Sequence, residues 1–572
     1  MSRPTFAVLA LVVGCGAPAA TAPKSSTPTS VDAPTPNAAR PPAAPRDPFA
    51  LPASVRADAP REAPPDTAMD AWAELSTVRG GPAPAPSCQA YAKRAPAGPA
   101  CKRGDRGAYL AALRTALDDK DAAKRDAELA RAEACETVPG ATRALRAELA
   151  PAECGDAIVE PWLTKTATPG AMGHALVGYA IAGKLARAGH KPPKLTGKKD
   201  KATVLKFVGG PFAAWMTAEA TAIERLSKVG ARLRGFGLGV AAVEAGLADM
   251  RLVEVAREGV IPEDWKDEEI KTVYYAALDQ ALEPRKVRGR SAALAGLTAL
   301  AAEGVTVDAR LDRAHALLGK MFAGRRIDAL TQLLLPPVTA SPAAGTPTEA
   351  LAGTLPTFFA DALLADALTQ SPEAARRALT RGAPAALVSA FGKGDAPVTK
   401  DGTTAIAYAR ARLALGMRSW RGVDFDQAAR VAHGAASPDA RLVLATALAL
   451  GRGPDGAAAM MASRARCTSD GWGDAAAKCS PTPELELMHV EALDALGGAG
   501  APHDAYATFN AAYLLWISTP PCCGGAETTA HFKDVRDRFA RASSKLNGAP
   551  QKRAEDLHRQ AAELVEALAK PH

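Results

Sequence analysis

In DWKDEEIKTVYYAALDQALEP, residues 264–284, the apolar side chains Ile270, Val273, Tyr274, Ala277, Leu278 and Ala281 recur at i, i+3, i+4, i+7, i+8 and i+11. That spacing places them on one face of a helix, and Pro284 predicts where it stops. The same period returns along most of the chain. Phe236, Val240, Val243, Leu247 and Met250 mark an earlier helix. Ser291 is a good N-cap and Gly304 a good stop for a later one, with Leu294, Leu297 and Leu300 inward. A third follows from Asp308, with Leu311, Leu318 and Phe322. No period-2 strands and no Asn-Gly hairpins stand out. Alanine is conspicuous and aromatics make up only 5% of residues, which suits closely approaching helices better than sheets. The expected fold is all-α, built of stacked antiparallel helix pairs.

Residues 16–66 hold 13 prolines and one aromatic, Phe49, too little apolar surface to fold alone. As a disordered tether, residues 15–66 would reach roughly 40 Å as a coil and ~160 Å if extended. PPVTASPAAGTPTEA, residues 336–350, is the clearest internal break. It predicts a helical domain over 156–335 and another over 351–572, with residues 67–155 as a smaller helical cap.

The first fourteen residues have a single basic residue, Arg3, then an apolar run from Phe6 to Val13 that is too short to span a bilayer. Val12-Val13-Gly14-Cys15 resembles the lipobox of bacterial lipoproteins. The resemblance implies a diacylglyceryl group on the Cys15 thiol, cleavage after Gly14 and membrane attachment through that lipid. It also implies the outer rather than the inner membrane, since Gly16 and not Asp follows. The alternative is an ordinary signal peptide cut near Ala17 to Ala22, giving a secreted protein.

Eight cysteines remain after Cys15: Cys88, Cys101, Cys135, Cys154, Cys467, Cys479, Cys522 and Cys523. In an oxidising compartment, disulfides are the default. The clustering favours neighbours: Cys88 with Cys101, Cys135 with Cys154, and Cys467 with Cys479. Cys522 and Cys523 either bond each other across a strained ring or reach Cys467 or Cys479.

LALG at Leu413–Gly416 returns at Leu448–Gly451, and DALG follows at Asp494–Gly497. With one insertion between Cys467 and Cys479, the spacing is similar to that of tetratricopeptide repeats, antiparallel helix pairs of 34 residues. Leu415, Gly416, Ala428 and Ala435 match that family's small-residue pattern, as do Ala505, Phe509 and Ala512 on a second helix. The resemblance covers roughly residues 400 to 515 and implies a groove that binds proteins.

Motifs that carry a reaction are missing: no H-E-x-x-H, no G-x-S-x-G, no phosphate loop and no C-x-x-C-H. GFGLGV, residues 235–240, has the wrong glycine spacing and no preceding strand for a phosphate site. Cys522, Cys523 and His531 contain zinc-type ligands, but no fourth is visible and an exported cysteine pair is usually oxidised. His174 and His190, sixteen residues apart on one helix, would lie too far apart to share a metal. The expectation is therefore no catalytic residue, no metal and no cofactor, although an unrecognised active site stays open as an alternative.

Two basic clusters remain. Lys184, Arg187, Lys191, Lys194, Lys198, Lys199, Lys201 and Lys206 face a single acid, Asp200, and Pro192 and Pro193 predict a loop. Arg285, Lys286, Arg288 and Arg290 are expected between two helices. Such loops are either solvated connections or grips for anionic lipid or an anionic envelope polymer. The net charge of +8, 69 cations against 61 anions, does not call for nucleic acid. The leading expectation is a lipid-anchored, envelope-facing, non-catalytic scaffold for protein partners, with polyanion binding as the second.

Overall fold

A computed structural model describes residues 47–51, 65–78, 83–92, 98, 101–305, 308–321, 329–335, 346–368, 402–419, 422–451, 490–497, 503–518 and 526–569. Cys15, Cys467, Cys479, Cys522 and Cys523 lie outside these residues. The fold is all-α, with no strand among the described residues.

The chain runs through α1 (Ala68–Thr77), α2 (Pro86–Ala92), α3 (Arg106–Asp118), α4 (Ala122–Ala132), α5 (Ala141–Leu149), α6 (Gly155–Leu163) and α7 (Gly170–Arg187). Next come α8 (Lys201–Phe207), α9 (Ala213–Gly230), α10 (Gly235–Arg257), α11 (Glu268–Ala302), α12 (Ala309–Met321), α13 (Pro347–Thr354) and α14 (Thr357–Leu368). The last stretch is α15 (Gly402–Ser419), α16 (Gly422–His433), α17 (Pro438–Leu450), α18 (Glu491–Gly497), α19 (Asp504–Ser518), α20 (Ala526–Ser543) and α21 (Ala549–Ala569).

Two hydrophobic cores organise these helices. The first joins α1 to α7, α9 to α14 and the residues expected as a separate cap, around Tyr109, Leu145, Leu176, Val243, Leu300 and Phe359. The second is built on α15 to α21, around Leu413, Phe425, Leu444, Phe509 and Phe539. The cores do not follow chain order. Leu330 and Leu333 lie in the second, whereas Leu351, Phe358 and Leu364 return to the first. The buried Asn510 fixes the crossing: its amide accepts from Leu334 N at 2.7 Å and donates to Leu334 O at 2.9 Å.

The tether also needs correction. A turn at 47–51 lays Phe49 and Leu51 against the second core, because they are the large apolar side chains this segment can bury. Part of the expected linker is helix, since Thr346 caps α13 and Pro347 occupies its first position.

Pro284 does not end a helix. It sits on the exposed side of α11, which runs unbroken for 35 residues. A mid-helix proline costs ~3 kcal/mol, so contacts on either side must outweigh it. They do so through Asp249 of α10, which takes Arg285 at 2.8 Å and Arg288 at 2.7 Å. The first turns of α11 run past the end of α10, which meets it at the Arg257–Asp279 pair. Ile270 and Val273, expected inward, are therefore exposed at 40% and 63%. Ser291 falls mid-helix, but Gly304 does end α11, with φ +73° and Val305 N bonding Leu300 O.

GFGLGV has a role after all. It starts α10, whose glycines let three helices touch backbone to backbone. A Cβ on Gly178 of α7 would stand 2.5 Å from Gly237 O, and one on Gly246 would stand 2.7 Å from Gly289 O of α11. Alanine normally improves a helix by 0.5–1 kcal/mol over glycine, so the sign of a substitution depends on space. Gly178→Ala should lower stability by about 1–3 kcal/mol because only backbone atoms face the new methyl. Gly353→Ala, on α13 with nothing within 4 Å, should be neutral or stabilising. Urea unfolding of both variants checks the opposite signs.

In the second core each helix packs on its predecessor along α15, α16 and α17, and again along α18 to α21. Gly416 and Gly451 both press on Phe425 of α16, and Gly497 on Thr508 of α19. Ala428, Ala505, Phe509 and Ala512 are buried, whereas Ala435 lies past the end of α16.

Candidate functional site

Sequence reading singled out cations, and the structure divides them sharply. Arg187 is drawn inward and grips Asp156 of α6 at 2.7 Å, while Lys184 pairs with Glu160 at 2.9 Å. Arg285 and Arg288 are spent on the buried Asp249, and Lys286, itself 3% exposed, pairs with Glu283 at 2.8 Å. Arg290 is half-buried in the same helix. The second cluster is thus a helix–helix contact and not a loop, and it offers no free basic surface: continuity of α11 turns its cations towards α10.

The lysines behave differently. Lys191, Lys194, Lys198 and Lys199 lie exposed on the connection after α7, and Lys201 and Lys206 are exposed on α8. Asp200 caps α8, its carboxylate accepting from Thr203 N at 2.9 Å. Glu263 N donates to Lys199 O at 3.0 Å, and the Lys199–Glu263 pair is loose at 4.0 Å. Among the described residues, no carboxylate lies within ion-pair distance of Lys191, Lys194, Lys198, Lys201 or Lys206. Directly after α8, Val208–Phe212 forms a π-helical turn containing Pro211. It brings Phe207 and Phe212 to 5.9 Å, and Phe212 and Trp215 to 5.9 Å, all half-buried. Between Lys201 and Trp215 only Val204 is buried, and Leu205 is 39% exposed. The sequence reading missed Leu205, Phe207, Phe212 and Trp215, although LKFVGGPF carried the signal: apolar side chains beside an exposed Gly-Gly-Pro.

A second constellation, also unforeseen, joins α5, α7 and α12. Tyr179 donates to Glu148 Oε2 at 2.6 Å, and Arg310 pairs with the same oxygen and with Asp308 at 2.7 Å. Burial pushes the Glu148 carboxyl and the Tyr179 hydroxyl up. Burial opposes the charge of Arg310 as well, but Glu148, Tyr179 and Asp308 more than offset it. The guanidinium lies 5.8 Å from the Tyr179 and Phe236 rings, and Phe236 stacks on Phe358 at 4.2 Å. Each charged group points at another protein group, so this cluster acts as a lock between helices.

No family model matches this chain, and no curated protein or solved structure matches it. Function must be argued from these residues. Among the described residues no three His, Cys, Asp or Glu side chains stand together as a metal site, and no helix is long and apolar enough to cross a membrane. His531 sits 3.2 Å from Leu515 O, and Cys522 and Cys523, its expected neighbours, are outside the described residues.

His174 marks where the N-terminal segment enters the body. Asp66 accepts from the backbone N–H groups of Ala68 and Gly170, which hold its carboxyl below the usual range, and His174 Nε2 lies 3.1 Å away. Burial pulls the His174 pKa down, beyond what Asp66 restores, and Arg234 adds to the fall. The unfolded chain therefore binds this proton more tightly, and stability present above about pH 6.5 is lost as the pH falls below it. Melting measured from pH 7.5 to 5.5 should show a shallower decline in His174→Gln than in the parent.

Proposed function

We propose that this chain is a lipid-anchored cell-envelope protein that acts as a non-catalytic scaffold, presenting stacked helix pairs to protein partners. The carrying observation is the serial packing of α15 to α17 and of α18 to α21, with a small residue of one helix set against Phe425 or Thr508 of the next. That arrangement is similar in kind to a tetratricopeptide array, and such stacks offer extended binding surfaces. Two disulfides support an oxidising compartment: Cys88 with Cys154, and Cys101 with Cys135. The Gly14–Cys15 sequence supports the lipid anchor.

Cross-linking of the intact protein in its own membranes, followed by mass spectrometry, tests both parts. The expected result is a diacylglyceryl group on Cys15 and cross-links from residues 402–569 to a recurrent partner. An unmodified Cys15 removes the anchor. Cross-links confined to this chain itself remove the scaffold.

A further inference from the structure

The segment from Lys191 to Trp215 combines two properties rarely left together on a closed surface. Its fifteen residues from Lys201 to Trp215 contain Leu205, Phe207, Val208, Phe212 and Trp215 but bury only Val204. Its cations, Lys191, Lys194, Lys198, Lys199, Lys201 and Lys206, are all exposed. The one acid within the stretch caps α8, and among the described residues the ion pair formed by these lysines is the loose one between Lys199 and Glu263. The result is an amphipathic edge with rings beside a basic loop. We propose that this edge is a docking face for an anionic lipid bilayer surface, with Lys198, Lys199, Lys201 and Lys206 attracting the headgroups and Leu205 and Phe207 entering the interface, while Phe212 and Trp215 pack on the first core and fix the edge to the body.

Charge complementarity and cation type favour lipid over an acidic protein. All six exposed cations are lysine. Lysine is a compact, strongly hydrated point charge without the planar fork that arginine brings to a fixed carboxylate. It is depleted at protein interfaces, where arginine is enriched. Attraction to a charged surface requires no fixed geometry and adds roughly per lysine near the membrane. Leucine and phenylalanine beside lysines on a short helix, as Leu205 and Phe207 are here, are what an interfacial segment buries among headgroups. The π-turn matters because it brings the Phe207 ring onto Phe212, which with Trp215 rests on the first core, so the exposed end of α8 is anchored to the body.

This contact is reversible and separate from any acyl chain, so its test removes the acyl site. The full chain carrying Cys15→Ser is mixed with vesicles of phosphatidylglycerol and phosphatidylcholine, or of phosphatidylcholine alone, and bound protein is sedimented. Every form keeps the same leader, so differences between forms report this face. Binding should require phosphatidylglycerol and weaken with salt. Lys198→Glu, Lys199→Glu and Lys201→Glu together should reduce it by roughly a hundredfold or more, at an unchanged melting temperature. Brominated lipid should quench tryptophan emission in the parent, and less so in Trp215→Phe and in Leu205→Ser. Unchanged binding by the charge-reversed form overturns the proposal, as does a difference between parent and charge-reversed forms that is equally large on pure phosphatidylcholine. Failure to bind anionic vesicles at all overturns it too.

Discussion

Replacing Arg146 with alanine is expected to cost the fold about 3–5 kcal/mol, the penalty for leaving a buried charge without its partner. The side chain of this arginine on α5 is wholly buried, between core residues Leu145 and Ala147 in the chain. Its Nε meets Asp126 Oδ1 at 2.8 Å, one terminal nitrogen meets Glu133 at 2.6 Å, and the other reaches Asp126 Oδ2 and Tyr91 O, both at 3.2 Å. Burial opposes its charge, but hydrogen bonding and attraction to Asp126 and Glu133 more than restore it. Truncation removes a cation that satisfies three elements at once, and it takes both guanidinium bonds from Asp126, itself 5% exposed. A double variant, Arg146→Met with Asp126→Leu, should recover part of the loss, because it removes the buried carboxylate with its cation while Glu133 keeps its pair with Arg143. Denaturant unfolding of the two single variants and the double closes the cycle. Additive losses would mean that the two side chains are not coupled.

Removing the outer disulfide should cost nearly as much. Cys88 and Cys154 are 66 residues apart, and Cys101 and Cys135, 34 apart, lie within that loop. In the chain-entropy account a loop of the outer size stabilises by about 4 kcal/mol, and somewhat less when the inner bond already shortens it. Cys88→Ala with Cys154→Ala should therefore lose about 3–4 kcal/mol, read as a lower denaturation midpoint, and reductant, which opens both bonds, should lower the parent's midpoint further. Digestion without reduction should release peptides joining 88 to 154 and 101 to 135. A fragment joining 88 to 101 would disprove the nested connectivity.

Neighbour pairing of those cysteines was the sequence expectation, and the reason it fails is instructive. Short separation favours a pairing only when the chain between is free to close. Here the helices α3, α4 and α5 between Cys101 and Cys154 fold the chain back on itself, which brings Cys154 to 5.0 Å from Cys88, Cα to Cα. Pro284 fails similarly. Local propensity ends a helix there, yet Asp249, Gly246 and Gly239 on α10 reward its continuation. The all-α class and the Gly304 stop were legible because both depend on period and φ, which are local. GFGLGV was legible only as not a phosphate loop, since its partners Gly178 and Leu300 lie far along the chain. Among the basic residues, sequence alone could not separate Lys198 from Arg288. One stands in solvent and the other meets a buried aspartate that lies 39 positions away.

The glycine contacts among α7, α10 and α11 also limit how the molecule can respond to load. Where two main chains abut with no side chain between them, there is no rotamer to turn and so no elastic cushion. Those three rods must slide or tilt as one block. Whatever strain reaches the protein through Asp66 and the clamp at Gly170 then bears on α7, and through its glycine contact on α10.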